Sequence, residues 1–89
     1  MKFEWDAGKA KSNLEKHGVT FDEASTVFND ELSLTVADPD HSISEERSLI
    51  FGESAGTKFL VVSFNERGDI IRIISARLMT PRERRAYEL

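Results

Sequence analysis

Two arginines in the last third of the chain are the residues whose type and position first suggest chemistry. Arg72 lies inside a run of mostly β-branched apolar residues at 70–74, and Arg77 follows shortly after it. A guanidinium group pairs bidentately with phosphate or carboxylate oxygens. A strand interior is a costly place for that charge unless it has such a partner. The two residues therefore indicate a site for a polyanion or for an acidic protein partner.

Charge is distributed unevenly along the sequence. The formal net charge is −4, yet residues 67–89 contain six arginines and only three acidic residues. Residues 30–53 are the opposite extreme, with seven acidic residues and a single arginine, Arg47. A uniformly basic surface, which is the usual feature of nucleic-acid-binding proteins, is therefore not expected. The arginine-rich end suits a few phosphates or an acidic partner.

Length and composition exclude several classes of protein. The 89 residues include no cysteine, which excludes disulfides, thiolate metal sites and a cysteine nucleophile. No apolar run approaches the ~18 residues of a membrane span, and no signal-peptide core is recognisable. A single cytoplasmic domain over residues 1–89 is expected. His41 between Asp40 and Ser42 belongs to an acidic, proline-containing loop, so neither a metal site nor a cofactor is predicted.

The order of predicted elements indicates an α+β fold. Asp6 and Thr20 are suitable N-caps for two successive helices, and Thr80 followed by Pro81 is a suitable start for a third. The predicted elements are a strand at 3–5, helices at 7–16 and 21–29, strands at 32–37, 47–51, 59–64 and 70–77, and a helix at 81–89.

This order predicts an antiparallel sheet of four to five strands, with the two N-terminal helices on one side and a short C-terminal helix. Alternation at Leu32, Leu34 and Val36 predicts a half-buried strand. In the first helix, helical spacing places Asn13 with Lys9 and Lys16 on the side opposite the apolar stripe.

Several segments taken together resemble the BrnT family of toxins. The Lys-His-Gly-Val element at 16–19 and the Arg-Ile-Ile-Ser-Ala-Arg element at 72–77 are specific in combination. The other matching positions are 3–6, 9, 13, 20–21, 24, 28, 30, 47, 52, 71 and 83–87, so the resemblance covers nearly the whole chain.

The resemblance implies a type II toxin with a RelE-like fold that cleaves messenger RNA and inhibits translation. It also implies a BrnA-like antitoxin with a ribbon-helix-helix part, which neutralises the toxin and takes the complex to operator DNA. A homodimer is left open.

Metal-independent RNA cleavage needs proton transfer at two oxygens and stabilisation of the phosphorane. Arg47, Arg72 and Arg77 are the candidates for the phosphorane. A regular strand places Arg72 and Arg77 on opposite faces, because five is an odd offset, and only a bulge or bend would bring them together. For Arg72 the competing interpretation is an ion pair with Glu66 or with a carboxylate of the first helix.

The remaining candidates each have a structural alternative. His17 is a candidate general acid or base, and packing on Leu14 at the helix end is its alternative. Tyr87 is a candidate for base stacking or proton donation, and docking of the last helix is its alternative. Lys9, Lys16 and Arg84 are the predicted RNA-binding residues, and a solvated helix face explains the two lysines equally well.

A non-catalytic binding module is the alternative function, in which the arginine-rich end docks an acidic partner. Convergence of Arg47, Arg77 and Tyr87 on a cleft free of carboxylates favours the enzyme. Internal ion pairs at these residues favour the binding module.

Overall fold

Five strands and three α-helices make up the computed structural model, which describes residues 1–38 and 46–88. The predicted acidic loop lies largely outside the described residues, His41 included. The elements are β1 Lys2–Glu4, α1 Ala7–His17, α2 Phe21–Thr26 with a 3-10 turn at Val27–Asn29, β2 Leu34–Ala37, β3 Ser48–Glu53, β4 Phe59–Arg67, β5 Ile70–Leu78 and α3 Pro81–Glu88.

The sheet has the strand order β1-β5-β4-β3-β2. The pairings of β2 with β3, β3 with β4 and β4 with β5 are antiparallel, as the sequence predicted. The expectation of a fully antiparallel sheet is wrong at β1, which pairs in parallel with β5. No hairpin joins these two strands, so the chain between them leaves their relative direction unconstrained.

The predicted caps bound the first two helices. The Asp6 side chain accepts a hydrogen bond from Lys9 N–H at 3.0 Å, and Thr20 accepts one from Glu23 N–H at 3.1 Å. α1 ends at Gly18, whose φ of 70° is in the left-handed region that favours glycine. Both helices therefore begin at the predicted caps, and α1 ends at the predicted glycine, whereas the second helix, predicted to reach residue 29, is α-helical only to Thr26 and continues as a 3-10 turn.

The core lies between one face of the sheet and the two N-terminal helices, as expected. Phe21, Ala24 and Val27 from the α2 region are at most 2% exposed. They pack against buried residues of three strands, namely Ile50, Leu60, Val62, Phe64, Ile71, Ile73 and Ala76. The opposite face of the sheet, which α3 covers in part, is called the open face below.

Asn13 is buried, contrary to the prediction that it lies on the solvent side of α1. Its side chain is 6% exposed, and its amide donates to Val19 O at 3.0 Å and to Ala76 O at 2.8 Å. Its oxygen accepts from Ala76 N–H at 3.0 Å. β1 pairs with β5 only as far as Arg72, so the side chain of Asn13 satisfies the strand edge where β1 has ended.

A β-bulge in β5 changes the faces of the two key arginines. Ser75 is opposite Ser63, but Ile73 is opposite Phe64, so Ile74 is an extra residue. Beyond the bulge Arg77 is opposite Val61, and before it Arg72 is opposite Asn65. Val61 and Asn65 are four residues apart on one strand, so both arginines lie on the open face. The prediction that Arg72 and Arg77 lie on opposite faces is therefore wrong. The cause is a bulge, which the prediction gave as one of its exceptions.

β2 is more exposed than predicted. Leu32 precedes the strand and is 76% exposed, and Leu34 and Val36 within it are 55% and 48% exposed. Because Leu34 pairs with Phe51, these residues face away from α1 and α2 on the last strand of the sheet. Alternation identified the strand but not the lack of a covering layer.

Asn13→Ala is expected to lower the free energy of unfolding by about 3 kcal/mol, because it leaves the buried N–H and C=O groups of Ala76 without these partners. Urea denaturation followed by circular dichroism measures the loss. Ser12→Ala, an exposed neighbour on the same helix, should change stability by less than about 0.5 kcal/mol. Equal stability of the two variants would contradict this role of Asn13.

Candidate functional site

Arg72 forms an ion pair on the open face. Its Nη1 lies 2.6 Å from Oε2 of Glu4, the residue directly opposite on β1. The suggested ion pair therefore forms, but the parallel β1 supplies the carboxylate instead of Glu66 or the first helix. The two side chains remain 35% and 42% exposed, so solvent screens the pair.

Arg77 forms a two-pronged ion pair with Glu83 of α3. Nη1 and Nη2 of Arg77 lie 2.8 Å and 3.0 Å from the two carboxylate oxygens of Glu83. The same carboxylate accepts from Thr80 N–H at 2.8 Å, while Thr80 caps the helix by accepting from Glu83 N–H. Hydrogen bonds from Arg77 are the largest cause that lowers the pKa of Glu83 to about 2. Glu83 in turn raises the pKa of Arg77.

Tyr87 docks α3 against the body of the protein. Its ring packs edge-on against Phe59 at 5.9 Å between centroids, and its hydroxyl donates to Asp30. Asp30 also accepts from Glu53 N–H at 2.8 Å, and this hydrogen bond is the main cause that lowers the pKa of Asp30. Burial, followed by the hydrogen bond to Asp30, raises the pKa of Tyr87 to about 12. The phenol is therefore a protonated donor at neutral pH.

Arg84 and Arg47 complete the predicted set of arginines. The Arg84 guanidinium lies 4.0 Å above the Phe59 ring and donates to Glu88 at 2.9 Å. Arg47 is half-buried just before β3, where its carbonyl accepts from Asp38 N–H at 2.9 Å. The alternation of β3 places Arg47 on the open face with Leu49.

A cleft of about 520 Å³ lies between α1 and the edge of β5, and is called the α1 cleft. It brings together Lys9, Lys16 and His17, three residues predicted for RNA binding or proton transfer. The other residues that line it are Asp6, Gly8, Ser12, Asn13, Ile74 and Ser75.

The α1 cleft and the open face meet at the free edge of β5. Ser75 lines the cleft, and Arg77 is two residues further along the same strand, about 7 Å away at the usual strand rise. Sequence reasoning missed Asn13 and the bulge at Ile74, which create this junction. No local pattern in the sequence distinguishes that asparagine from a surface residue, and the odd spacing of the arginines was the only signal for a bulge.

The predicted catalytic residues do not converge on one cleft that is free of carboxylates. Arg77 forms an ion pair with Glu83 and so meets the criterion stated for the binding module, whereas Tyr87 donates a hydrogen bond to Asp30 and forms no ion pair with it. Lys9, Lys16 and His17 do share one cleft.

Within residues 1–38 and 46–88, no three side chains of histidine, aspartate or glutamate are grouped as a metal site would require. The described part of the chain also has no helix with the length and apolar character to cross a membrane.

Fold and site together define a small α+β protein with a lysine-containing cleft beside arginines on an open sheet face. A family model described as the ribonuclease toxin BrnT of type II toxin-antitoxin systems matches residues 5–83. The chain therefore belongs to the BrnT family and is a toxin of this type.

One solved structure has the same fold, the crystal structure of the Brucella abortus ribonuclease toxin BrnT. Its TM-score is 0.70 at 24% sequence identity, with 90% of this chain and 97% of that chain covered. This similarity supports the fold. Among curated proteins, none matches the sequence.

The Arg77–Glu83 pair should make stability depend on acid pH. Because the folded-state pKa of Glu83 is about 2 against 4.5 normally, the contribution is complete above about pH 4.5 and disappears as the pH falls toward 2. Glu83→Gln should therefore lower the melting temperature at pH 6. The loss in free energy of unfolding should be about 1 kcal/mol or less, because the pair is partly exposed. The difference should vanish near pH 2. Thermal unfolding of both proteins at each pH measures it, and a pH-independent difference would contradict the ion-pair explanation.

Proposed function

We propose that this toxin is a metal-independent endoribonuclease that cleaves messenger RNA in the cytoplasm and so inhibits translation, in the manner of RelE toxins. The observation that carries the proposal is the bulge in β5, which puts Arg72 and Arg77 on one face beside the α1 cleft. Two arginines on this face of β5 and two lysines in the neighbouring cleft suit the repeating charge of an RNA backbone.

Lys9 and Lys16 bind phosphates in the α1 cleft, and Arg77 binds the phosphate at the point of cleavage. The ion pair of Arg77 with Glu83 does not prevent this role, because the Arg77 side chain is 40% exposed. Such an exposed pair contributes less than about 1 kcal/mol, so a phosphate that offers the same bidentate geometry can replace Glu83.

In cleavage the ribose 2′-hydroxyl loses its proton as its oxygen attacks the adjacent phosphorus, and the 5′-oxygen takes up a proton as its bond to phosphorus breaks, which leaves a 2′,3′-cyclic phosphate. His17 takes part in proton transfer, because its imidazole lines the same cleft as the two lysines. Arg77 stabilises the negative charge of the phosphorane, and Arg72 and Arg47 hold flanking phosphates on the open face. Tyr87 and Arg84 serve mainly to dock α3, through Asp30 and Phe59.

A BrnA-like antitoxin with a ribbon-helix-helix part is the proposed partner. It neutralises the toxin, and operator DNA is bound only by the complex of the two proteins. The support for this partner is family membership, because a type II toxin works with a protein antitoxin.

The binding module without catalysis is the second candidate, and the internal ion pairs favour it. Arg72, Arg77 and Arg84 each contact a carboxylate of the same chain. In that case the arginines orient α3 and β1, and the acidic body repels RNA.

Arg77→Ala should reduce the rate of RNA cleavage about 10²- to 10³-fold, because it removes a donor aimed at the phosphorane. Arg67→Ala is the matched control, because the substitution removes the same charge. Arg67 lies on the same pair of strands, about 20 Å from Arg77 at the usual strand rise. A labelled single-stranded RNA and gel analysis give the rates. Equal rates for the wild type and Arg77→Ala would contradict the role of Arg77. In cells, the wild-type chain expressed without antitoxin should arrest growth, and Arg77→Ala should relieve the arrest.

Cleavage should persist in EDTA, because the proposed chemistry uses only side chains. Arg77→Ala protein purified in parallel controls for contaminating nucleases. A strict requirement for a divalent cation would overturn the mechanism, and intact RNA with all preparations would favour the binding module.

A further inference from the structure

A second surface, away from the α1 cleft, is formed by α3 and the edge strand β2. A groove of about 320 Å³ runs between them. Leu34, Val36 and Phe51 line it from the sheet, and Arg82, Glu83, Ala86 and Tyr87 line it from α3. Leu34 and Val36 are 55% and 48% exposed, so the groove presents apolar side chains to solvent.

The backbone of β2 adds a second feature to this surface. β2 is the last strand of the sheet, so one of its edges has no strand neighbour within the described residues. Its four residues, Leu34–Ala37, are exposed and uncharged. Edge strands of natural proteins are usually protected by charged residues, by proline or by a bulge, and β2 contains none of these. An unprotected edge of this kind accepts an added strand.

Charge at the rim of the groove indicates which strand fits. Arg82 lines the groove beside Glu83, whose carboxylate is paired with Arg77. Arg85 follows Arg82 three positions later on the same side of α3. Both are exposed, and neither forms an ion pair within the part of the chain that the structure describes. Arg72, Arg77 and Arg84 do have carboxylate partners. The guanidinium groups of Arg82 and Arg85 can therefore bind carboxylates of a partner.

We propose that the surface of β2 and α3 binds an extended segment of the antitoxin by strand addition to β2. Alternate apolar side chains of that segment enter the groove, and its carboxylates meet Arg82 and Arg85. This rests on the assignment of the chain as a toxin with a protein antitoxin. A second copy of the chain fits less well, because a two-fold pairing of β2 with β2 brings the same arginines together without carboxylates from that strand.

The test uses the purified toxin and its purified cognate antitoxin. Val36→Lys puts a charge into the groove, and Thr35→Lys, on the other face of the same strand, is the matched control. We expect antitoxin affinity, measured by titration calorimetry, to fall at least tenfold for Val36→Lys and less than about twofold for Thr35→Lys. Arg82→Ala should weaken binding and reduce its dependence on salt.

Hydrogen exchange on the wild-type pair provides a measurement that does not depend on any variant. Amides of Leu34–Ala37 should gain protection when the antitoxin binds. Unchanged exchange there, unchanged affinity of Val36→Lys, or an equal loss in both lysine variants would each overturn the proposal. The proposal would also be overturned if the toxin forms a dimer that Val36→Lys disrupts while the variant still binds the antitoxin.

Cleavage of RNA is measured on the same variants, so that two failures can be told apart. Val36→Lys should cleave RNA at the wild-type rate, because Val36 is no part of the cleavage site. If the wild type cleaves no RNA but Val36→Lys still loses the antitoxin, the ribonuclease proposal is wrong and the docking surface stands. If the wild type cleaves RNA but Val36→Lys binds the antitoxin as tightly as the wild type does, the ribonuclease proposal stands and the docking surface is wrong.

Discussion

The contact on which the rest of the structure depends is the pairing of the Asn13 amide with the backbone of Ala76. β1 is only three residues long and leaves the second half of β5 with an open edge. The side chain of Asn13 takes the place of a missing strand, and a third hydrogen bond to Val19 ties in the start of α2. Because buried backbone groups are costly without partners, this one amide sets the distance between α1 and β5. It therefore shapes the α1 cleft.

The bulge in β5 and the Asn13 contact lie at neighbouring positions and act together. The bulge at Ile74 shifts the strand by one residue, and Asn13 binds the strand two residues later. Bulges at a sheet edge re-aim side chains, and this one re-aims Arg77 onto the face that carries Arg72. A regular strand with the same sequence would separate the two guanidinium groups by the thickness of the sheet.

In the proposed mechanism, phosphate competes with carboxylate groups of the same chain for the arginines of the site. Glu83 and Glu4 occupy the arginines that would meet RNA, on a chain with a net charge of −4. Both pairs are partly exposed, so they orient the guanidinium groups at low cost to release them. α3 is held to the sheet by partly exposed contacts, among them the ion pair between Arg77 and Glu83. None of its described residues is buried, and Glu83, Tyr87 and Arg84 hold it through polar and aromatic contacts. A helix so attached can carry a partner without disturbing the core.

Local sequence alone determined the elements and the family. Caps at Asp6 and Thr20, the stop at Gly18 and the apolar strands gave helix and strand positions close to those observed, since these signals act within a few residues. The tertiary structure alone decided the parallel pairing of β1, the bulge at Ile74, the burial of Asn13 and the carboxylates that pair with Arg72 and Arg77. Those features depend on residues such as Asn13 and Ala76, which lie 63 positions apart. Periodicity within one element cannot report a contact at that separation, because the contact exists only after the sheet has formed.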